Sequence, residues 1–135
     1  MTEPPSSPEA LFGELRAIMV RLRSPDGCPW DREQTMADLA RYIKEEADEV
    51  VEAVAEGRPE AIAEELGDLL FNIIFATRLG EEAGAFDMNE VITGIRDKMV
   101  RRHPHVFGDA KADTPEEVLE HWNRVKAAEK AGGES

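Results

Sequence analysis

The 135-residue chain contains one cysteine, Cys28. No intrachain disulfide is possible, so packing alone must hold the fold, and such a chain suits a reducing compartment. Aromatic residues are also scarce, at 6% with a single tyrosine. The apolar content is therefore mainly aliphatic and alanine, a mixture that favours helices. There is no long apolar run, and no basic segment followed by an apolar core at the N-terminus. The chain is expected to be soluble and cytoplasmic on that ground. Positive charge is the other shortage: 16 Lys and Arg stand against 29 Asp and Glu, a net charge of −13. This argues against a general nucleic-acid or anionic-membrane binder. An anionic substrate would have to be met by bound cations and a few local Lys or Arg.

What is present is helical periodicity. The length suits one domain with a real core, expected over residues 7–129 between loose tails at 1–6 and 130–135. Ser7-Pro8 reads as an N-cap and a first-turn proline, and Leu11, Leu15, Ile18, Met19 and Leu22 then follow a helical period. Residues 24–30 read as a rigid loop, with Asp31 and Gln34 as a capping box for a second helix from about Arg32 to Glu56. Gly57 closes that helix and Pro59 opens a third, to about Glu82, which is apolar on nearly all sides. Such a helix is central or covered by a partner. A homodimer or homotetramer is the expectation. A fourth helix runs from a capping box at Asp87 and Glu90 to about Arg102, residues 103–113 form a loop, and Thr114-Pro115-Glu116-Glu117 starts a fifth. The class is all-α: an oligomeric bundle of about five helices around a central antiparallel helix hairpin.

The hairpin carries the chemistry. Glu46 and Glu49 are three apart, as are Glu65 and Asp68, so each pair shares one helical face. Positions 47.5 and 66.5 are the midpoints of the two pairs, and their mean is 57, the helix-breaking Gly57. Folded back at that residue, the two pairs meet at one height. Ile43, Glu46 and Val50 form one stripe and Ile62, Glu65 and Leu69 another, so the acids point toward the apolar seam. Carboxylates gathered in a partly dry seam need compensation, which hard divalent cations supply. An all-oxygen site suits Mg²⁺ or Mn²⁺. A solvated acidic face is the plainer alternative.

Further candidates follow from type and spacing. Lys98, Arg101 and Arg102 cluster on the fourth helix and suit phosphates, or else complement the helix end. Trp122 and Lys126 stand at i, i+4 and suit a base edge and a phosphate, or a core indole and a solvated lysine. Trp30, stiffened by Pro29, suits stacking on a base or anchoring a loop. Asn72, four after Asp68, suits a ligand or a metal-bound water. Cys28 reads as packing, and His103 and His105 as loop and cap residues.

Several stretches together resemble the MazG-type nucleoside triphosphate pyrophosphohydrolases: Gly27-Cys28-Pro29-Trp30-Asp31, the acidic run from Glu45 to Glu49, Glu65-Leu66-Gly67-Asp68, and Arg101-Arg102-His103-Pro104-His105. The resemblance implies a helical bundle that oligomerises and hydrolyses nucleoside triphosphates between the α- and β-phosphates with Mg²⁺. It implies that Glu46, Glu49, Glu65 and Asp68 are metal ligands, with Glu45 as a further ligand or supporting acid. It also implies that Lys98, Arg102, Trp122 and Lys126 approach the nucleotide. Glu45 or Glu49, if not fully committed to metal, would take a proton from water. The alternative is a helical module of the same fold that binds nucleotides or partners with little turnover. A carboxylate-bridged di-iron bundle is excluded by its need for Glu-x-x-His pairs, which the chain lacks.

Overall fold

A computed structural model describes residues 7–133. Among them every regular element is a helix: α1 (Pro8–Leu22), α2 (Pro29–Glu33), α3 (Met36–Glu56), α4 (Pro59–Glu82), α5 (Met88–Arg101), α6 (Pro104–Phe107) and α7 (Pro115–Ala131). The chain divides into two compact units, Met1–Met88 and Asn89–Ser135.

In the first unit local chemistry sets the helix ends. Ser7 caps α1 by accepting from the Ala10 amide at 3.1 Å, with Pro8 at the first position. The expected helix from Arg32 is in fact two helices. Gln34 is extended and its side-chain amide donates to the Trp30 carbonyl at 2.8 Å, which closes α2 after one turn. The capping box belongs to Thr35 and Asp38 rather than to Asp31 and Gln34. Thr35 Oγ1 accepts from the Asp38 amide at 3.3 Å, and Asp38 Oδ2 accepts from the Thr35 amide at 2.9 Å. Thr35 wins because its hydroxyl can accept while its backbone is still extended. At the other end of α3, Gly57 has φ 76° and its amide donates to the Ala53 and Val54 carbonyls. Only a residue without a Cβ takes that conformation cheaply, and Pro59 at once starts α4.

α1 and α3 both pack on α4. The core is Met19 from α1, Leu39 from α3, Ile74 and Phe75 from α4, and Met88, with Phe12, Leu15, Tyr42, Phe71 and Leu79 partly buried around it. After α4 the chain folds back so closely that a Cβ on Gly80 would lie 2.3 Å from the Phe86 ring. One face of α4 is left uncovered: Leu66, Leu70 and Ile73 are 50%, 38% and 41% exposed.

The second unit holds α5 to α7. The expected loop at 103–113 contains the single turn α6, because Pro104 is preset for a first helical position and the Val106 and Phe107 amides both donate to the His103 carbonyl. Thr114 caps α7 by accepting from the Glu117 amide at 3.2 Å, and Val118, Trp122 and Val125 form its half-buried stripe. α7 runs on to Ala131, past the loose tail expected from Lys130. The reason is Glu129, which is 5% exposed and ion-paired to Arg101, the last residue of α5, and to Arg102 just beyond it, at 2.5 and 2.9 Å. The expected tail at 1–6, and residues 134–135 of the tail expected at 130–135, lie outside the described residues.

Candidate active site

The acids of α3 and α4 meet as their spacing requires. Oxygens of Glu46, Glu49 and Glu65 all lie within 4.8 Å of one another. The flanking Ile43, Val50, Ile62 and Leu69 are half-buried, as are Glu46 and Glu65 themselves, while Glu49 is exposed. One oxygen of each half-buried acid, Glu46 Oε1 and Glu65 Oε1, is shielded from solvent and has no hydrogen-bond donor among the described residues. Burial first, then the close approach of the Glu65 carboxyl, then the charges of Glu49, Glu65 and Asp68 push the Glu46 carboxyl up to about 8. The group is thus neutral over much of the physiological range unless a cation faces it.

Asp68 acts on Glu46 through its charge but stands outside the tight group, and Glu45 is exposed and also outside it. From Glu49 and Glu65 a cavity of about 390 Å³ extends toward the α3–α4 turn, lined by Glu52, Glu56, Glu60 and Glu64 with Arg58 as its one cation. Shielded carboxylate oxygens without donors fit a hard divalent cation: every atom offered is a carboxylate oxygen, and among the described residues no lysine or arginine is ion-paired to Glu46, Glu49 or Glu65.

The aromatic candidate in this unit is well presented. The Trp30 indole is 54% exposed and lies 5.8 Å from the Tyr42 ring, at an interplanar angle of 30°. Tyr42 was not singled out by sequence, although Tyr42, Glu46 and Glu49 stand at i, i+4 and i+7 and so share one face of α3. Arg41 covers the Tyr42 ring at 5.0 Å. The Asn72 side-chain amide donates to the Tyr42 carbonyl at 3.4 Å, a contact between α4 and α3. Cys28 is a free, half-buried thiol at the start of α2, in keeping with packing.

The remaining candidates belong to the second unit. Lys98 is half-buried on α5, and Lys126 is exposed on α7. Arg102 differs from expectation: it is 9% exposed, it pairs with Glu129, and its guanidinium lies 5.0 Å from the Trp122 ring centroid. Arg101 shares Glu129 but keeps a side chain 40% exposed. Trp122 is enclosed by Arg102 and by His103, whose ring stands edge-on at 5.5 Å. His103 Nδ1 donates to the Met99 carbonyl at 2.6 Å, a helix-end contact, in line with the loop and cap role.

An all-helical protein gathering three carboxylates between packed helices is the class these features define. Residues 34–107, 74 of the 135, match the MazG nucleotide pyrophosphohydrolase domain, and the chain belongs to that family. It is 48% identical over 118 residues to the nucleoside triphosphate pyrophosphohydrolase of Escherichia coli K12, covering 87% of this chain and 45% of that protein. It is 45% identical over 120 residues to the nucleoside triphosphate pyrophosphohydrolase/pyrophosphatase MazG of Thermotoga maritima, covering 89% and 46%. The chain therefore spans less than half the length of these two relatives. Among solved structures, a MazG-related protein from Thermotoga maritima superimposes with a TM-score of 0.73 at 26% identity, over 85% of this chain and 98% of that one.

Proposed function

We propose that the protein hydrolyses nucleoside triphosphates between the α- and β-phosphates, releasing nucleoside monophosphate and pyrophosphate, with Mg²⁺ or Mn²⁺ held by Glu46, Glu49 and Glu65. The observation that carries this reading is the pair of shielded, donor-less oxygens on Glu46 and Glu65 beside Glu49. The names of the two long relatives support the substrate class. When bound, the cation supplies positive charge to the phosphates in a chain that has little of its own.

The chain's own residues then divide the work. Glu46 and Glu65 are held in the seam by apolar neighbours, so their oxygens stay at fixed separation. Glu49 keeps contact with solvent and is placed to take the proton of an attacking water; Glu45, exposed one turn away, is the second candidate. Asp68 adds negative charge at the rim and is the outer ligand of the set. Lys98, Lys126 and the exposed part of Arg101 meet phosphates, whereas Trp30 offers its free indole face to the base. Arg102 and Trp122 support this arrangement by fixing α5 to α7. The antiparallel pairing of α3 and α4 is the centre of the bundle, and a second copy of the chain covers the uncovered face of α4.

Purified protein incubated with standard and damaged NTPs plus Mg²⁺ tests the activity. The expected products are monophosphate and pyrophosphate in equal amounts, with loss of turnover on chelation and in Glu49→Gln. Release of orthophosphate and diphosphate instead would place the cleavage at the wrong bond.

A further inference from the structure

α2, which presents Trp30, has five residues, and a helix so short has almost no stability of its own. Arg23, at the end of α1, supplies it. Arg23 Nη1 donates to the Asp31 carbonyl at 2.6 Å and reaches the Gln34 carbonyl at 3.5 Å. These are carbonyls at the C-terminal end of α2, which have no partner within so short a helix. The other edge of the same guanidinium, through Nε and Nη2, grips both oxygens of Glu82 in the last turn of α4, at 3.1 and 2.5 Å.

Its plane lies 5.8 Å from the Phe75 centroid, and its side chain is 11% exposed. The bond to Glu82 is the main reason that the Arg23 pKa is raised and the Glu82 pKa lowered. On the entry side, the Cys28 amide donates to the Leu22 carbonyl at 2.8 Å, and a Cβ on Gly27 would lie 2.3 Å from the Arg21 and Leu22 carbonyl oxygens. One arginine thus joins α1, α2 and α4 where the exposed indole is set.

We propose that Arg23 is a positioning residue for the nucleotide: by capping α2 and anchoring it to Glu82, it fixes the Trp30 indole beside Tyr42 as a shelf for the base. This rests on the reading of the α3–α4 seam as the nucleotide site. Tyr42 stands one helical turn before Glu46 on the same face of α3, so a base on the shelf leaves its phosphates directed along the acids. Only a planar fork can hold two carbonyls on one edge and a carboxylate on the other. Lysine keeps the charge but not that geometry.

Steady-state kinetics with a nucleoside triphosphate tests the proposal. Losing a base-stacking aromatic typically costs about tenfold in affinity, so Trp30→Ala is expected to raise KM about tenfold with kcat within about threefold. Arg23→Lys is expected to raise KM by a similar factor. The double variant should be no worse than either single, because both remove one shelf. Glu82→Gln, which keeps Arg23 in place but weakens its anchor, should fall between wild type and Arg23→Lys, and serves if Arg23→Lys folds poorly.

A second readout is independent of turnover. In a Trp122→Phe background, where Trp30 is the single indole, Arg23→Lys should shift the emission maximum while leaving the Mg²⁺-dependent rise in Tm intact. A raised KM in Trp30→Ala with none in Arg23→Lys, additive effects in the double variant, or unchanged Trp30 emission overturns the proposal. If wild type shows no hydrolysis, the activity reading fails on its own, and the emission shift still decides whether Arg23 sets the indole. If Trp30→Ala leaves KM unchanged while hydrolysis persists, the base shelf and the role of Arg23 are both overturned and the reading of the acids stands.

Discussion

Glu46 and Glu65 face each other from α3 and α4, each with one carboxylate oxygen shielded from water and without a donor. Burial, and after it the neighbouring acids, raises the Glu46 carboxyl from 4.5 to about 8, so ionising this pair without a cation costs the fold stability. The folded state holds a proton that the unfolded chain releases between those values. The contribution of Glu46 to stability in EDTA should therefore be full below pH 4.5 and fall as pH rises toward 8. Millimolar Mg²⁺ should offset most of that fall and raise Tm with ion concentration. Glu46→Gln should remove both the pH dependence and the response to Mg²⁺, with apo stability equal to wild type or higher. Asp68→Asn, lying outside the tight group, should show a weaker version of the same change. Melts from pH 4.5 to 8.5, with and without Mg²⁺, check this. Identical Mg²⁺ responses in wild type and Glu46→Gln would exclude the site.

The uncovered face of α4 predicts association. Leu66, Leu70 and Ile73 repeat at i, i+4 and i+7 and are all well exposed, an apolar stripe that a soluble monomer seldom leaves open. Light scattering at micromolar concentration should show a dimer or larger species. Leu70→Lys should shift it toward monomer. A wild-type monomer at that concentration would remove the second copy from the reading above.

The α3–α4 turn depends on one backbone conformation. Gly57 at φ 76° meets no atom within 4 Å of a built Cβ, so space is not the constraint. The cost of a side chain there is conformational, about 1 kcal/mol for Gly57→Ala, and less for Gly57→Asn, which tolerates the left-handed region better. Urea midpoints of the two variants should fall in that order. Equal midpoints would show that the turn is not constrained as described.

The acid seam was legible because two separate signals agree in it: a period of three or four residues within each helix, and a symmetric distance of both acid pairs from Gly57. The helix ends at Ser7, Gly57, Pro59 and Thr114 were legible for the same kind of reason, since each is a local device. The break between α2 and α3 was not. Asp31 with Gln34 and Thr35 with Asp38 have the same spacing, and only the extended backbone at Gln34 decides between them. Long-range partners were hidden altogether. Nothing in the sequence pairs Arg23 with Glu82, 59 residues away, or Arg102 with Glu129, 27 away. Arg102 therefore reads in sequence as a surface cation four residues after Lys98, whereas its guanidinium is spent inside the second unit.

That difference separates two neighbouring cations experimentally. Arg102 bonds Glu129 at 2.9 Å and stacks over Trp122, and its removal leaves the Glu129 carboxylate buried with Arg101 alone. Breaking a buried pair from one side leaves a charge without its partner, so Arg102→Ala should lower stability markedly, whatever it does to kinetics. Among the described residues Lys98 has no such partner, and Lys98→Ala should leave stability within about 0.5 kcal/mol while raising KM about tenfold if it meets a phosphate. Acid titration gives an independent check. Arg102 first, then Arg101, hold the Glu129 carboxyl down from 4.5 to about 2. A lowered carboxyl contributes stability that is full above about pH 4.5 and is lost as pH falls toward 2. Wild type should therefore lose stability through that window, and Arg102→Ala should lose less of it because part of the contribution is already gone. Melts of wild type, Arg102→Ala and Lys98→Ala between pH 5 and pH 2 measure this. Parallel curves for wild type and Arg102→Ala would return Arg102 to the role of an exposed phosphate contact.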